Sequence, residues 1–150
     1  IHQSRNKEDL YMWTVKIILA SFDFPIHSYD DNSEVSDVVG LPYGMPIPEG
    51  IKAEADKIQS IYDSYFDTTG PYAKFLGFLT NEDKDVLLNM SYSLASSLKA
   101  ILPNDVKIEN TVGQTLLLAP MRKDVEEMDR KASEDLEKED DDGQEGPDCE

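Results

Sequence analysis

Four long stretches of this chain repeat their apolar residues at helical spacing, and the pattern breaks into prolines and glycines between the first and the second. In the first stretch Leu10, Trp13, Ile17 and Ala20 form one stripe, flanked by Tyr11, Val15, Ile18 and Phe22. This predicts a buried helix from Lys7 to about Phe22 with an apolar face wide enough to pack on two sides. Asn6 can cap it, and Glu8 and Asp9 then fall in the first turn, where the helix dipole favours anions. A strand from Val15 to Ala20 is the competing reading.

The segment from Asp23 to Gly50 holds Pro25, Pro42, Pro46 and Pro48 with Gly40, Gly44 and Gly50, and reads as a long Pro-rich connecting loop. Only Ser33 to Val39 looks able to form a short helix. Leu41 to Pro48 alternates proline with apolar residues, which favours an extended strap whose Tyr43, Met45 and Ile47 close over the protein's own core. A docking ligand for a partner's aromatic groove is the alternative for that strap.

Glu49 to Phe66 is the second helix, with Ile51, Ala55, Ile58, Tyr62 and Tyr65 on one face. Gly70 and Pro71 end it, and Tyr72 to Leu79 follows as a short apolar helix. Thr80 or Asn81 starts a third long helix that runs to Leu102, with Leu87, Met90, Leu94, Leu98 and Ile101 as its stripe. Ser91, Ser93, Ser96 and Ser97 lie on its other faces and are small enough to let a neighbouring helix approach. From Asp105 to Leu118 two readings stay open: a small hairpin, or a helix beginning after Asn110.

The final helix starts at Pro120. Met121, Val125, Met128, Ala132 and Leu136 form a narrow apolar stripe, supported by Glu126–Arg130, Glu127–Lys131 and Glu134–Lys138 at i,i+4. Its stripe is too narrow for a buried central helix, so it lies on the surface or waits for a partner. Beyond Lys138, Glu139 to Glu150 reads as a disordered acidic tail.

Charge sharpens that division. Met121 to Glu150 carries fourteen acidic and five basic residues, a net of −9, so more than half of the total of −17 sits in the last fifth of the chain. Residues 1–120, at seventeen acids and nine bases, are also negative, which argues against sequence-independent binding to phosphate backbones by this chain alone. The single cysteine, Cys149, excludes an intrachain disulfide framework and a thiolate zinc cluster, and fits a reducing, intracellular compartment in cytoplasm or nucleus. The apolar run Tyr11 to Phe22 is too short and too interrupted to span a bilayer, and acids precede it where a signal peptide needs bases, so no membrane association is expected.

No constellation for catalysis emerges. His2 and His27 have no histidine or cysteine at ligand spacing, and His27 reads as a polar loop residue. Asp30 and Asp31 are adjacent acids without a nucleophile beside them. Two windows that place oxygen ligands alternately, from Asp30 and from Asn81, fail as calcium loops: Val35 and Val86 stand where glycine is needed, and Leu41 and Tyr92 where a bidentate glutamate is. Asn89-Met90-Ser91 fits a glycosylation acceptor, but Met90 lies on a buried stripe. Catalytic, cofactor and metal residues are therefore expected to be none.

The expectation is a mainly α protein: a helical body over 1–119, an amphipathic surface or swinging helix over 120–138, and a disordered acidic tail over 139–150. Its function is expected to be non-catalytic protein–protein interaction or self-assembly, with a protein partner or a second copy of the chain. Met121, Val125, Met128 and Leu136 are the apolar contact, and Glu139, Asp140, Asp141 and Asp142 an electrostatic arm for a basic surface. In architecture alone this resembles subunits that assemble by arm exchange, including viral coat and nucleocapsid proteins, so a fragment of a nucleic-acid-packaging protein is the alternative. An enzyme with its site in the 23–50 loop is the second alternative.

Overall fold

The computed structural model describes residues 13–31 and 37–145, the side chains of residue 37 and of 139–145 apart. The fold is α+β, not mainly α. Among the described residues six strands, β1 (Trp13–Ile17), β2 (Ile26–Asp30), β3 (Asp37–Val39), β4 (Phe66–Asp67), β5 (Lys74–Phe75) and β6 (Lys107–Asn110), accompany four α-helices and one short 3-10 turn at Pro42–Gly44. The α-helices are α1 (Glu49–Asp63), α2 (Asn81–Ile101), α3 (Val112–Leu118) and α4 (Arg122–Glu145).

The main sheet has the order β3-β2-β1-β6, with β1 antiparallel to β2 and parallel to β6. Register places Val15 opposite Ser28 and Ile108, and Ile17 opposite Ile26 and Asn110, so these residues share one face. That face joins Ile51, Ala55 and Ile58 of α1 and Leu87, Leu94 and Leu98 of α2 in one core. The result is two layers, helices on a sheet. The alternate residues, Thr14, Lys16, His27, Tyr29, Lys107 and Glu109, fall on the opposite face.

Three corrections to the sequence reading follow. The segment expected as a helix over Lys7 to Phe22 holds instead a central strand from Trp13 to Ile17, with a turn at Ser21 and Phe22; residues 7–12 lie outside the described residues. Val15, Ile17 and Ile18 are β-branched and lose side-chain freedom in a helix, and it is the apolar residues after the strand, Ile18, Leu19 and Ala20, that stretch its run until it also fits helical spacing. The competing strand, Val15 to Ala20, has the right type but starts two residues late and ends three late. Second, much of the 23–50 loop is structured: Ile26 to Asp30 is a strand that Pro25 and Asp31 merely bracket, and Asp37 to Val39 is its edge neighbour rather than part of a helix. Residues 32–36 lie outside the described residues. Third, the short helix expected over Tyr72 to Leu79 is replaced by the β4–β5 pair, Phe66 opposite Phe75 and Asp67 opposite Lys74.

The long helices follow their stripes. Ile51, Ala55, Ile58 and Tyr62 are buried on α1, and Leu87, Leu94 and Leu98 on α2. Thr80 caps α2 reciprocally: its Oγ1 accepts from Asp83 N at 3.2 Å, and Asp83 Oδ2 accepts from Thr80 N at 3.1 Å. Ser91 does more than save space. Fully buried, its Oγ donates to Leu88 O at 2.6 Å and accepts from Asn110 Nδ2 at 2.9 Å, joining α2 to the end of β6. Residues 105–118 resolve as a strand followed by a helix after Asn110, with no hairpin. In the proline strap Leu41 and Pro42 are buried and Ile47 packs on the core, while Tyr43 stays exposed with its ring 5.2 Å from that of Trp13.

The turn between β1 and β2 is pinned to α1. Phe22 N donates to Asp63 Oδ1 at 2.8 Å, and Gln59 Nε2 donates to Ala20 O at 2.7 Å. Among the described residues no helix is long and apolar enough to cross a membrane.

Candidate interaction arm

The last helix leaves the body at a tightly built root. Gly77 has φ +91°, and a Cβ there would meet Arg122 N at 2.5 Å and the Met121 carbonyl carbon at 2.6 Å, so only glycine lets the two segments press together. Phe78 then pairs with Met121: Phe78 N donates to Pro120 O at 3.2 Å, and Arg122 N donates to Phe78 O at 2.8 Å. Phe78 is itself fully buried, with ring centroids 4.6 Å from Tyr65 and 5.4 Å from Phe75. Lys84 Nζ donates to Ala119 O at 2.9 Å, just ahead of the helix. Burial foremost, and the Asp83 carboxylate after it, push the Tyr65 hydroxyl above its ordinary pKa, with the Arg122 guanidinium pulling the other way.

The first turns of α4 stay on this root. Val125 is buried, Met121 packs partly buried against the core, and Lys74 Nζ meets Asp129 Oδ2 at 2.5 Å. Every side chain from Glu126 to Lys138 is exposed. Met128 is 58% and Leu136 62% exposed. Arg130 is held within the helix, its Nη1 donating to Glu134 Oε1 at 2.9 Å. The helix has 24 residues, roughly 36 Å at the usual rise.

The residues singled out in the sequence are thus divided. Met121 and Val125 serve the chain's own packing, while Met128 and Leu136 stand on the exposed part of the same face. Glu139, Asp140, Asp141 and Asp142 belong to α4, whose backbone is helical through Glu145 rather than ending near Lys138, so the disordered tail of the sequence reading is helical over that part. Residues 146–150, with Cys149, lie outside the described residues, as does His2.

Two features escaped the sequence reading. The root depends on Gly77, Phe78 and Lys74, which no periodicity marks. Leu117 and Leu118, 82% and 83% exposed, lie just before the root, and Leu117 lines a shallow 270 Å³ groove with Leu88, Gly113 and Leu116. A signal for them existed. Three consecutive leucines in a seven-residue helix cannot all face inward, and only Leu116 does.

The open face of the main sheet carries a further concavity, an exposed depression of about 740 Å³ lined by Thr14, Lys16, Tyr29, Asp31, Lys107 and Glu109 among others. Its chemistry is mixed charge: Lys16 Nζ lies 3.3 Å from Glu109 Oε2 and 4.6 Å from the centre of the Tyr29 ring. His27, expected in a loop, is a buried β2 residue with Nε2 3.2 Å from Asp23 Oδ2. Among the described residues no three His, Cys, Asp or Glu side chains gather closely enough to hold a metal ion. The sequence matches no known family model and no curated protein.

Proposed function

We propose that this chain is a non-catalytic interaction module, a two-layer body that presents α4 as a binding arm to another protein. The observation that carries the reading is the change along one helix face: Val125 is buried, yet Met128 and Leu136 on the same face are more than half exposed. A stripe that continues past its own body is surface prepared for contact, because exposed apolar side chains gathered on one element mark interaction sites more often than scattered ones do. The exposed Leu117 and Leu118 near the root enlarge the apolar area available. A reducing intracellular setting accords with a chain whose one cysteine is Cys149.

The reading is tested by light scattering and partner binding on the full chain, the Met128→Glu variant and a version ending at Arg130, which keeps the Val125 and Asp129 anchors. The expected result is weakened association with the body's circular dichroism unchanged. Identical association for all three proteins would refute the arm as the contact.

A further inference from the structure

The arm's charge distribution bears on what covers it. From Met121 to Lys131 there are four bases and four acids, whereas from Ala132 to Glu145 there are eight acids and one base. Acids in the C-terminal turns face the negative end of the helix dipole, the unfavourable sign, and the last turn of α4 has no basic residue. Asp140, Asp141, Asp142 and Gly143 are also poor helix formers. The distal half of α4 is therefore helical against its own charge pattern.

A second copy of the chain does not resolve this. Laid parallel, it sets one strongly acidic half against another. Laid antiparallel, it would bring its acidic half to the neutral half of α4, but there Val125 is covered by the body and Asp129 is held by Lys74. Only the stripe from Met128 onward is open. At roughly 100° per residue, Met128, Ala132 and Leu136 share an arc of about 80°, with Asp135 at its edge.

We infer that the distal half of α4 docks a cationic amphipathic helix of another protein, whose apolar stripe covers Met128, Ala132 and Leu136 and whose lysines and arginines face Asp135 and the acidic residues that follow. This rests on the arm being the binding element and names its partner's chemistry. Cations along the C-terminal half offset the dipole, and apolar closure on Leu136 supplies the affinity that charge alone loses at physiological salt, where screening acts beyond about 8 Å.

The test uses the full chain and two synthetic 21-residue peptides of leucine and lysine with the same composition, one with leucines at helical spacing and one permuted so that no stripe forms. Binding is followed by calorimetry in 0.15 M salt. The striped peptide should bind about tenfold more tightly than the permuted one, and Leu136→Ser should remove most of that difference, since burying a leucine is worth about a factor of ten or more. Tyr72→Ser, at another exposed site, should leave it intact. Equal affinity for the two peptides, or indifference to Leu136→Ser, overturns the inference as non-selective attraction to acid. Failure to bind either peptide, with light scattering showing a dimer that Leu136→Ser dissociates, overturns it in favour of a second copy and leaves the arm as the binding element. No binding and a monomer throughout overturn both.

Discussion

Helices α2 and α4 have similar lengths, 21 and 24 residues, and each carries an apolar stripe at the same spacing. On α2 the stripe is spent inside the molecule: Leu87, Leu94 and Leu98 are completely buried against the sheet and α1. On α4 only the first turns are, and the stripe runs out past the body. Periodicity fixes which face of a helix is apolar, but the rest of the chain decides what that face meets. Here the decision is made at Gly77 and Phe78, which fasten the start of α4 and no more.

The largest expected contrast is between leucines of the two stripes. Leu94→Ala should destabilise the protein by about 2–5 kcal/mol, through lost burial and the cavity it leaves. Leu136→Ala should change stability by no more than about 0.5 kcal/mol, as an exposed substitution does. Urea unfolding of both variants measures this, and comparable losses would mean that Leu136 is covered in solution.

Gly77→Ala should have the next largest effect, because it adds a Cβ within 2.7 Å of three backbone atoms at a φ of +91°. A cost of about 1–3 kcal/mol is expected, concentrated at the arm. Hydrogen exchange should therefore rise most for amides of residues 121–129, with α2 amides changing least. A uniform rise would show that root and core unfold as one unit and would erase the distinction between them.

The same distinction explains what the sequence made legible. Helices α1, α2 and α4 were readable because their stripes are amphipathic over many turns, and Thr80 or Asn81 marked the start of α2. The sheet was not. Trp13 to Ile17 does alternate apolar and polar residues, but Ile18, Leu19 and Ala20 extend the apolar run, and together with Leu10 and Tyr11 they fit helical spacing equally well, which hides the period of two. β2 is five residues between Pro25 and Asp31, and β3, β4 and β5 are three residues or fewer, too short for any period to register. Of the arm, the stripe and its acidity could be read directly, but not the point where it leaves the body. That point is set by contacts between residues some 45 positions apart, Gly77 and Phe78 with Met121 and Arg122, and spacing within a helix carries no trace of them.

Alkaline titration separates root from distal arm more gently. Burial first, then the neighbouring Asp63, raises Tyr62 above its ordinary value of 10.0, and burial first, then Asp83, raises Tyr65. Both phenols therefore hold their protons longer in the folded state than in the unfolded one. Their contribution to stability is complete below pH 10 and is lost as pH rises through the folded-state values. Arg122 works in the opposite direction on Tyr65, so Arg122→Met should move the ionisation of that tyrosine to still higher pH in a spectrophotometric titration. Leu136→Ser should not move it. A shift in the Leu136→Ser protein would place the distal arm against the body, contrary to the exposure of its side chains.

The smallest effect should come from Lys74→Ala. Lys74 and Asp129 make the outermost contact between body and arm, yet their side chains are 52% and 53% exposed. Water and salt screen such a pair, and holding two flexible side chains in one geometry costs entropy, so its loss should cost at most about 1 kcal/mol and become undetectable in high salt. The consequence for the arm is more specific than the energy. Val125 and the Phe78–Met121 pairing remain, so α4 should stay rooted while the turn around Asp129 frays first. Exchange at residues 126–130 should quicken in Lys74→Ala at low salt and match the parent at high salt. If exchange quickens at Val125 as well, the ion pair rather than apolar packing holds the arm to the body, and the boundary between its anchored and presented halves moves back to Met121.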